Sequence, residues 1–341
     1  RVPPPADSGK IPGFSRRPTG AKPKMTNPKS DSLQNCAEHR GHYPVMLKEA
    51  VEILSPKDGL EYLDCTFGGG GHSRAVLESA DCRVTAVDRD PSAEARAGEL
   101  KRLFPGRFRF VRANFSEICK LQTENGYAGI LFDFGVSSFQ LDEAGRGFSF
   151  MRAGPLDMRM DSSKGPTALE LINSLSEFEL AKILREYGQE RAFAKVARAI
   201  KSAAESGGLK TTLDLAKAVE SALPRQNREK IHPATRAFQA LRIAVNDELG
   251  EISRALPDAF GLLARGGVLA AISFHSLEDR IVKRFFKKLA GLPEGRNDRS
   301  FAQDRVKVAT LLTRKPALPS ETETAENPRS RSAKLRAIRK D

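Results

Sequence analysis

The stretch "DCTFGGGGHS", Asp64 to Ser73, decides the fold of this chain because four consecutive glycines directly follow a short apolar run. Glycine allows the backbone to turn tightly and to approach a ligand closely. The preceding segment "YLDC", Tyr62 to Cys65, has the apolar character of a short buried strand. A glycine-rich turn between a strand and a helix suits a phosphate, a dinucleotide or another cofactor, although it could also be a purely structural turn.

Four further apolar segments predict strands, and each is separated from the strand before it by enough chain for a helix. They are "RVTAVD" (Arg83 to Asp88), "FRFVRAN" (Phe108 to Asn114), "GILFDFG" (Gly129 to Gly135) and "GGVLAAISF" (Gly266 to Phe274). Strands that alternate with helices form parallel sheets covered on both faces. The sequence therefore predicts an α/β fold with a doubly wound, mostly parallel sheet.

The long interval between the fourth and fifth strands predicts an inserted helical domain. Leu180, Ile183, Leu184 and Tyr187 recur at helical spacing within it. We expect a disordered basic extension over residues 1–41, with Met25 as a candidate translation start. The predicted domains are residues 42–142 and 238–341 for the sheet, the latter with a basic C-terminal tail, and residues 143–237 for the insert.

The net charge of +13 is concentrated at the two ends of the chain. Such ends suit an anionic partner through counterion release, although solvated tails without a partner have the same composition. No apolar run approaches the roughly 20 residues of a membrane helix and no signal segment opens the chain, so we expect a cytoplasmic protein without a membrane partner. The four cysteines lack metal-site spacing, and neither a metal nor a disulfide is predicted.

The glycine loop does not fit the common phosphate-binding patterns. The third glycine of a dinucleotide fingerprint is replaced by Ser73 in one register and Arg74 in the other, and no G-K-[ST] ending is present. Asp88 ends the second strand 20 residues after Gly68, where a carboxylate can bind ribose hydroxyls. These features favour a nucleoside cofactor without a pyrophosphate, with S-adenosylmethionine as the main candidate.

The fourth strand ends in "DFGVSSFQLD", and its first residue, Asp133, is the candidate catalytic group. An exocyclic amine of a nucleobase is a poor nucleophile because its lone pair is delocalised into the ring. A carboxylate that accepts the amine hydrogens can localise this pair and hold the nitrogen in line with a methyl donor. Asp133 could instead cap the next helix or contact only the cofactor.

A segment rich in arginine, phenylalanine and methionine, "RGFSFMRAGPLDMRMD", follows this strand. Arginine planes and aromatic faces suit stacking on unpaired bases and contact with phosphates. The candidate RNA contacts are Arg146, Phe148, Arg152, Arg159 and, after the fifth strand, His275. The same segment could form an ordinary amphipathic wall, His275 could be structural, and a second basic stretch, "PRQNREKIHPATR", lies near the other end of the insert.

Motifs along most of the chain resemble those of the bacterial small-subunit ribosomal RNA methyltransferase H family, also called MraW. The resemblance extends from about His42 to Arg339. The motifs are "HYPVMLKEAV", "DCTFGGGGHS", "AVDRDP", "DFGVSSFQLD", "GFSFMRAGPLDMRMD", "HPATRAFQALRIAVNDEL", "SFHSLEDRIVKRFF" and "ENPRSRSAKLRA". The resemblance implies a class I, Rossmann-like methyltransferase domain with an inserted helical domain that recognises substrate.

The resemblance also implies S-adenosylmethionine-dependent methylation of N4 of a cytidine in 16S ribosomal RNA, at the decoding centre (P site) of the small subunit. Its cofactor contacts fall on Gly70, Gly71, His72, Asp88, Phe115, Asp133 and Gln140. Two positions differ from the commonest family residue. At Gly69 the family commonly has arginine, although many members have glycine, and at Phe139 it usually has proline.

Two other functions stay open at this point. One is methylation of an exocyclic amine in DNA, although those enzymes carry [DN]-P-P-[YF] where this chain reads "DFGV". The other is a non-catalytic RNA-binding factor for ribosome assembly. The oligomeric state, monomer or homodimer, is also open.

Overall fold

The computed structural model describes residues 1–2, 44–223, 232–295, 298 and 305–341. Residues 3–41 of the predicted extension and most of the second basic stretch lie outside the described residues. Among the described residues, no helix combines the length and apolarity needed to cross a membrane.

A seven-stranded sheet forms the centre of the fold, in the order β3-β2-β1-β4-β5-β7-β6. Strands β1 to β5 run parallel, whereas β7 runs antiparallel to both of its neighbours. The predicted doubly wound, mostly parallel sheet is confirmed. The strands are β1 Glu61–Asp64, β2 Arg83–Asp88, β3 Phe108–Arg112, β4 Tyr127–Asp133, β5 Leu263–Ser273, β6 Ala309–Leu311 and β7 Lys334–Lys340.

Helices pack against both faces of the sheet, and two apolar cores lie between them and the strands. One core includes Leu54, Val84 and Leu131, and the other includes Ile130, Leu256 and Phe286. The helices associated with the sheet are α1 Leu47–Leu54, α2 Gly71–Ser79, α3 Ala93–Leu103, α4 Ser138–Asp142, α9 Ala234–Asn246, α10 Glu248–Leu262, α11 Ser276–Leu289 and α12 Glu321–Glu326.

Four helices between β4 and β5 build a third core of their own. They are α5 Ala168–Ser174, α6 Glu177–Glu186, α7 Phe193–Glu205 and α8 Thr212–Ala222. Capping boxes at Thr167, Ser176 and Thr211 start three of them by satisfying the first backbone amides. Phe238 and Leu241 of α9 also pack into this core, so the core extends beyond residue 237, the predicted end of the insert.

The helix after Pro233 is interrupted, which the sequence periodicity does not reveal. Asp247 adopts a left-handed conformation, with φ of 47°, between α9 and α10. Side chains of α9 pack in the insert core, whereas those of α10 pack in a core of the sheet.

The predicted basic C-terminal tail is wrong, because this segment is strand β7 inside the sheet. The guanidinium Nε of Arg336 donates a 2.6 Å hydrogen bond to Asp279, and Lys340 donates to three backbone carbonyls. Lysine and arginine composition predicted a tail for an anionic partner or solvent, whereas Leu335, Arg336, Ala337 and Ile338 are all buried.

Truncation of the insert core at Leu184 should destabilise the protein. Leu184 is fully buried, so Leu184→Ala should lower the free energy of unfolding by about 2–5 kcal/mol through lost burial and a residual cavity. Urea unfolding followed by helical circular dichroism measures this change. Leu213→Ala in the same insert is the control, because Leu213 is 36% exposed and should cost far less. Equal losses in both variants would contradict the assignment of Leu184 to the core.

Candidate active site

A cavity of about 650 Å³ opens at the carboxyl ends of β1, β2 and β4. This is where open parallel sheets bind ligands, because the loops after adjacent strands diverge there. Every residue predicted to contact the cofactor lines this cavity: Gly70, Gly71, His72, Asp88, Phe115, Asp133 and Gln140.

The glycine loop packs tightly against Phe67 and Pro44, which also line the cavity. Gly70 has φ of +79° and precedes the first turn of α2. A side chain there would meet the ring of Phe67 at 2.7 Å, and one at Gly71 would overlap Pro44. Both glycines are therefore required by protein packing, which also leaves bare main chain at the cavity wall.

Asp88 holds the glycine loop against the end of β2. Its carboxylate accepts hydrogen bonds from the backbone amides of Gly68, at 2.7 Å, and Asp90, at 2.9 Å. Burial raises the pKa of Asp88, and these two amides oppose the shift. Each carboxylate oxygen can accept a second hydrogen bond, so Asp88 can still bind a ribose.

Asp133 presents one carboxylate oxygen without a protein partner. Its Oδ1 is buried and has no hydrogen bond among the described residues, while 23% of the side chain is accessible. Burial raises the pKa of Asp133 well above its usual value, and the negative charges of Asp64 and Glu278 add to the shift. An acceptor of this kind in a ligand-sized cavity suits a substrate N–H group.

His72 faces Asp133 in its neutral form. Its Nε2 lies 3.0 Å from the carbonyl oxygen of Val45, which can only accept, so Nε2 carries the proton. Burial lowers the pKa of His72 to about 4. The unprotonated Nδ1 therefore lies 3.9 Å from Oδ2 of Asp133.

Phe115 lies in a short 3₁₀ turn after β3, where Asn114 and Glu117 form a capping box. Its ring packs edge-on against Phe132 and Phe134, with centroids 5.8 and 6.0 Å away. This packing fixes the orientation of an aromatic wall of the cavity.

Gln140 lines the cavity, but protein groups bind both ends of its amide. Oε1 accepts from the backbone amide of Ser137 at 2.9 Å, and Nε2 donates to Asp90 at 2.7 Å. These bonds fix Gln140 even though proline is absent at position 139. The amide links the loop after β4 to the loop after β2.

The two positions that depart from the family pattern lie in contact. A side chain at Gly69 would approach the Phe139 ring to 2.9 Å. The guanidinium of Arg96 covers this ring at 4.3 Å and donates to the carbonyl of Gly68 at 2.9 Å. The absence of a side chain at Gly69 thus makes room for the larger residue at 139.

The predicted RNA contacts do not line the cavity. Phe148 is buried in the insert core, so its ring faces protein and is not available for the predicted stacking on bases. Arg146 is also largely buried and donates to Asp90 and two backbone carbonyls, which occupies it within the protein. Arg152 is exposed, and Arg159 is partly exposed and paired with Asp157.

His275 lies at the start of α11 beside a buried carboxylate. Its Nε2 is 3.0 Å from Oε1 of Glu278. Burial alone would raise the pKa of Glu278, but His275 and Arg242 lower it overall. With its side chain only 10% exposed, His275 has the surroundings of a structural residue.

Among the described residues, Glu248, His275 and Glu278 form a grouping with metal-ligand atoms within 4.8 Å of one another. Arg242 already donates to both oxygens of Glu248, at 2.8 and 3.0 Å. The guanidinium therefore supplies positive charge to this cluster.

Sequence reasoning missed several residues of the cavity wall, including Arg96, Met160, Arg242 and Phe274. Arg242 and Phe274 belong to motifs that carried the resemblance, but nothing in their local pattern indicated a cavity. Arg96 lies on an ordinary amphipathic helix and had no signal.

Residues 39–341 match the family profile described as the MraW methylase family. The chain belongs to the MraW methylase family. The predicted family and the prediction of a methyltransferase are both confirmed. Ribosomal RNA small subunit methyltransferase H of Gluconobacter oxydans (strain 621H) is 48% identical over 303 residues, which cover 88% of this chain and 93% of the relative.

Other MraW relatives are equally similar. The protein of the same name from Geobacter sulfurreducens (strain ATCC 51573 / DSM 12127 / PCA) is 49% identical over 306 residues, 88% of this chain and 98% of the relative. Among solved structures, an rRNA methylase from Streptococcus thermophilus has a TM-score of 0.37 at 10% identity, covering 93% of this chain and 98% of that one. Family membership rests on the sequence matches.

Removal of the charge at position 133 should stabilise the protein. The folded state raises the pKa of Asp133 above 3.8, so ionisation of this group opposes folding once the pH exceeds that value. Asp133→Asn should therefore raise the melting temperature, by an amount that grows between pH 4.5 and 8.5. The exposed Glu124→Gln is the matched control and should show no such trend. A melting temperature of Asp133→Asn that falls below that of the wild type at high pH would contradict the burial argument.

Gly69→Ala should displace the Phe139 ring and lower the free energy of unfolding by about 1–3 kcal/mol through overpacking. Urea unfolding measures this loss. In the double variant Gly69→Ala/Phe139→Ala, the added methyl group has space. The double variant should therefore have nearly the same free energy of unfolding as Phe139→Ala alone. Additive losses would show that the two positions do not interact.

Proposed function

We propose that the chain uses S-adenosylmethionine to methylate N4 of a cytidine in 16S ribosomal RNA, at the decoding centre of the small ribosomal subunit. The observation that carries this proposal is Oδ1 of Asp133, which has no hydrogen-bond partner in the described part of the chain, beside a cavity that the glycine loop and Asp88 also line. The relatives' name, ribosomal RNA small subunit methyltransferase H, supports the substrate class. Such a substrate would be met in the cytoplasm.

The residues of the cavity fit this cofactor. Asp88 offers carboxylate oxygens for ribose hydroxyls, Phe115 offers an aromatic face for an adenine, and Gly70 and Gly71 offer bare main chain for the methionine part. When bound, S-adenosylmethionine supplies an electrophilic methyl group on a sulfonium. Protein packing has already fixed each of these residues, so little reorganisation is needed on binding.

Asp133 serves as hydrogen-bond acceptor and base for the amine. Its Oδ1 accepts an N4 hydrogen and holds the nitrogen lone pair in line for transfer. Methylation of a neutral amine releases a proton, and a carboxylate whose pKa is raised by burial accepts a proton more readily than an exposed one. The neutral His72 is next to this carboxylate and keeps a lone pair directed at it.

Arg152 and Arg159 remain the candidates for phosphate contacts among the predicted RNA residues, because both are at least partly exposed. The contribution expected of them is electrostatic and sensitive to salt. Arg146 and Phe148 have protein partners and are better explained as structural groups.

Substitutions of the two acids should separate binding from chemistry. Asp88→Ala should abolish detectable binding of S-adenosylhomocysteine in a calorimetric titration, because it removes the ribose acceptor. Asp133→Asn should retain binding yet lower kcat about 10²–10⁴-fold on small ribosomal subunits, the usual range for a lost acid–base group. Glu124→Gln is the matched control for both measurements.

Mass spectrometry of ribosomal RNA nucleosides gives the product. Cells that lack the protein should lose N4-methylcytidine, and the wild-type gene should restore it. Methylation of duplex DNA in place of ribosomal RNA would favour the DNA alternative. Wild-type turnover by both acid variants, or a protein that binds subunits but not S-adenosylhomocysteine, would contradict the proposal.

A further inference from the structure

A second acid beside Asp88, Asp90, connects the loop after β2 to the insert. The carboxylate of Asp90 is 3% exposed and accepts hydrogen bonds at 2.7 Å from both Gln140 and Arg146. The backbone amide of the same residue donates to Asp88. Asp90 therefore contacts the predicted ribose-binding acid through its main chain and the start of the insert through its side chain.

Arg146 extends this connection to the far wall of the cavity. While Nη1 donates to Asp90, Nη2 donates to the carbonyls of Arg159, at 3.0 Å, and Met160, at 2.9 Å. Met160 lines the cavity. One planar guanidinium thus joins Asp90 to the backbone of Arg159 and Met160, and a flexible ammonium group does not offer this fixed fork.

A second set of contacts joins the same segments to α9. The backbone amide of Met160 donates to Oδ1 of Asn246 at 2.8 Å, and Nδ2 of Asn246 donates to the carbonyl of Met158 at 2.7 Å. Arg89, between Asp88 and Asp90, contacts the sulfur of Met160 and the carbonyl of Asn246. The loop after β2, the entry to the insert and the return helix therefore meet at this point.

We propose that Arg146 is a positioning residue that ties the loop after β2, through Asp90, to the segment of Arg159 and Met160, so that a cofactor at Asp88 and an RNA phosphate at Arg159 each stabilise the binding surface of the other. The coupling follows because one buried charge pair, Asp90 and Arg146, fixes both the loop after β2 and the segment of Arg159 and Met160. Linkage between two sites is reciprocal. If S-adenosylhomocysteine lowers the Kd for RNA by some factor, RNA lowers the Kd for S-adenosylhomocysteine by the same factor. This inference rests on the proposed function, since it needs a cofactor at Asp88 and an RNA substrate.

The experiment must distinguish positioning from simple stability. Arg146→Met alone leaves a buried, unpaired carboxylate and should be unstable, whereas Asp90→Asn/Arg146→Met removes both charges and should recover most of the melting temperature. Arg83→Ala is the matched control, because Arg83 of β2 forms a two-bond ion pair with Glu61 of the neighbouring strand β1 at an exposed position. Arg146→Lys keeps the charge but not the fork.

Two affinities are measured on the full chain. Calorimetry gives Kd for S-adenosylhomocysteine, and filter binding gives Kd for small ribosomal subunits with and without S-adenosylhomocysteine. For the wild type and Arg83→Ala, we expect S-adenosylhomocysteine to tighten subunit binding by about 5–150-fold, the typical size of coupling between sites. In the stable double variant, binding of S-adenosylhomocysteine should weaken about tenfold and the coupling should fall toward one, with Arg146→Lys intermediate.

The outcomes separate this inference from the proposed function. A folded double variant with wild-type affinity and wild-type coupling would overturn the positioning role alone. The role would also be overturned if the coupling in every variant, including Arg83→Ala, fell only in proportion to its loss of melting temperature. A wild-type protein that does not bind S-adenosylhomocysteine would overturn the proposed function, and this inference with it.

Discussion

Three neighbouring parallel strands, β2, β1 and β4, end at one edge of the sheet, and the rest of the site depends on this constraint. Each of these strands ends in one carboxyl group: Asp64 in β1, Asp88 in β2 and Asp133 in β4. Hydrogen bonds between these ends, such as the Gly68 amide to Asp88 and the Asp133 amide to Thr66, lock the loops together. Residues far apart in the chain consequently form one cavity.

The same constraint concentrates carboxyl groups where burial opposes their ionisation. Burial raises the pKa of Asp64, Asp88 and Asp133. Asp64 and Asp88 are bound by protein donors, whereas Oδ1 of Asp133 has no donor within the ranges that the structure describes. A group kept at a cost to stability in a ligand-sized cavity is characteristic of an active site.

The inserted helices have an apolar core distinct from those of the sheet, yet they are joined to the cavity. No strand residue belongs to this core among the described residues. The polar connection through Asp90, Arg146 and Asn246 is buried and charged, and such connections depend strongly on geometry. This arrangement gives the insert a defined position relative to the cofactor loop.

The cofactor side of the site could be predicted from sequence because its signals are local. A glycine run after a strand and an acid at the end of the next strand keep their spacing in any such fold. The RNA side could not be predicted as well. Arg146 and Phe148 have the residue types of RNA contacts, but their side chains point into the protein. Gln140, predicted as a cofactor contact, lines the cavity, yet its protein partners lie 3 and 50 residues away in the chain.

The sequence by itself determined the alternation of strands and helices, the family and the residue types around the cofactor, because periodicity and short motifs are properties of neighbouring residues. Tertiary structure alone decided that the basic C-terminus is a buried strand, that Asp247 breaks a helix and that Phe139 fits against Gly69. These outcomes depend on which surfaces meet across the fold. Composition and spacing carry no information on that choice, since a side chain's direction is fixed by its packing partners.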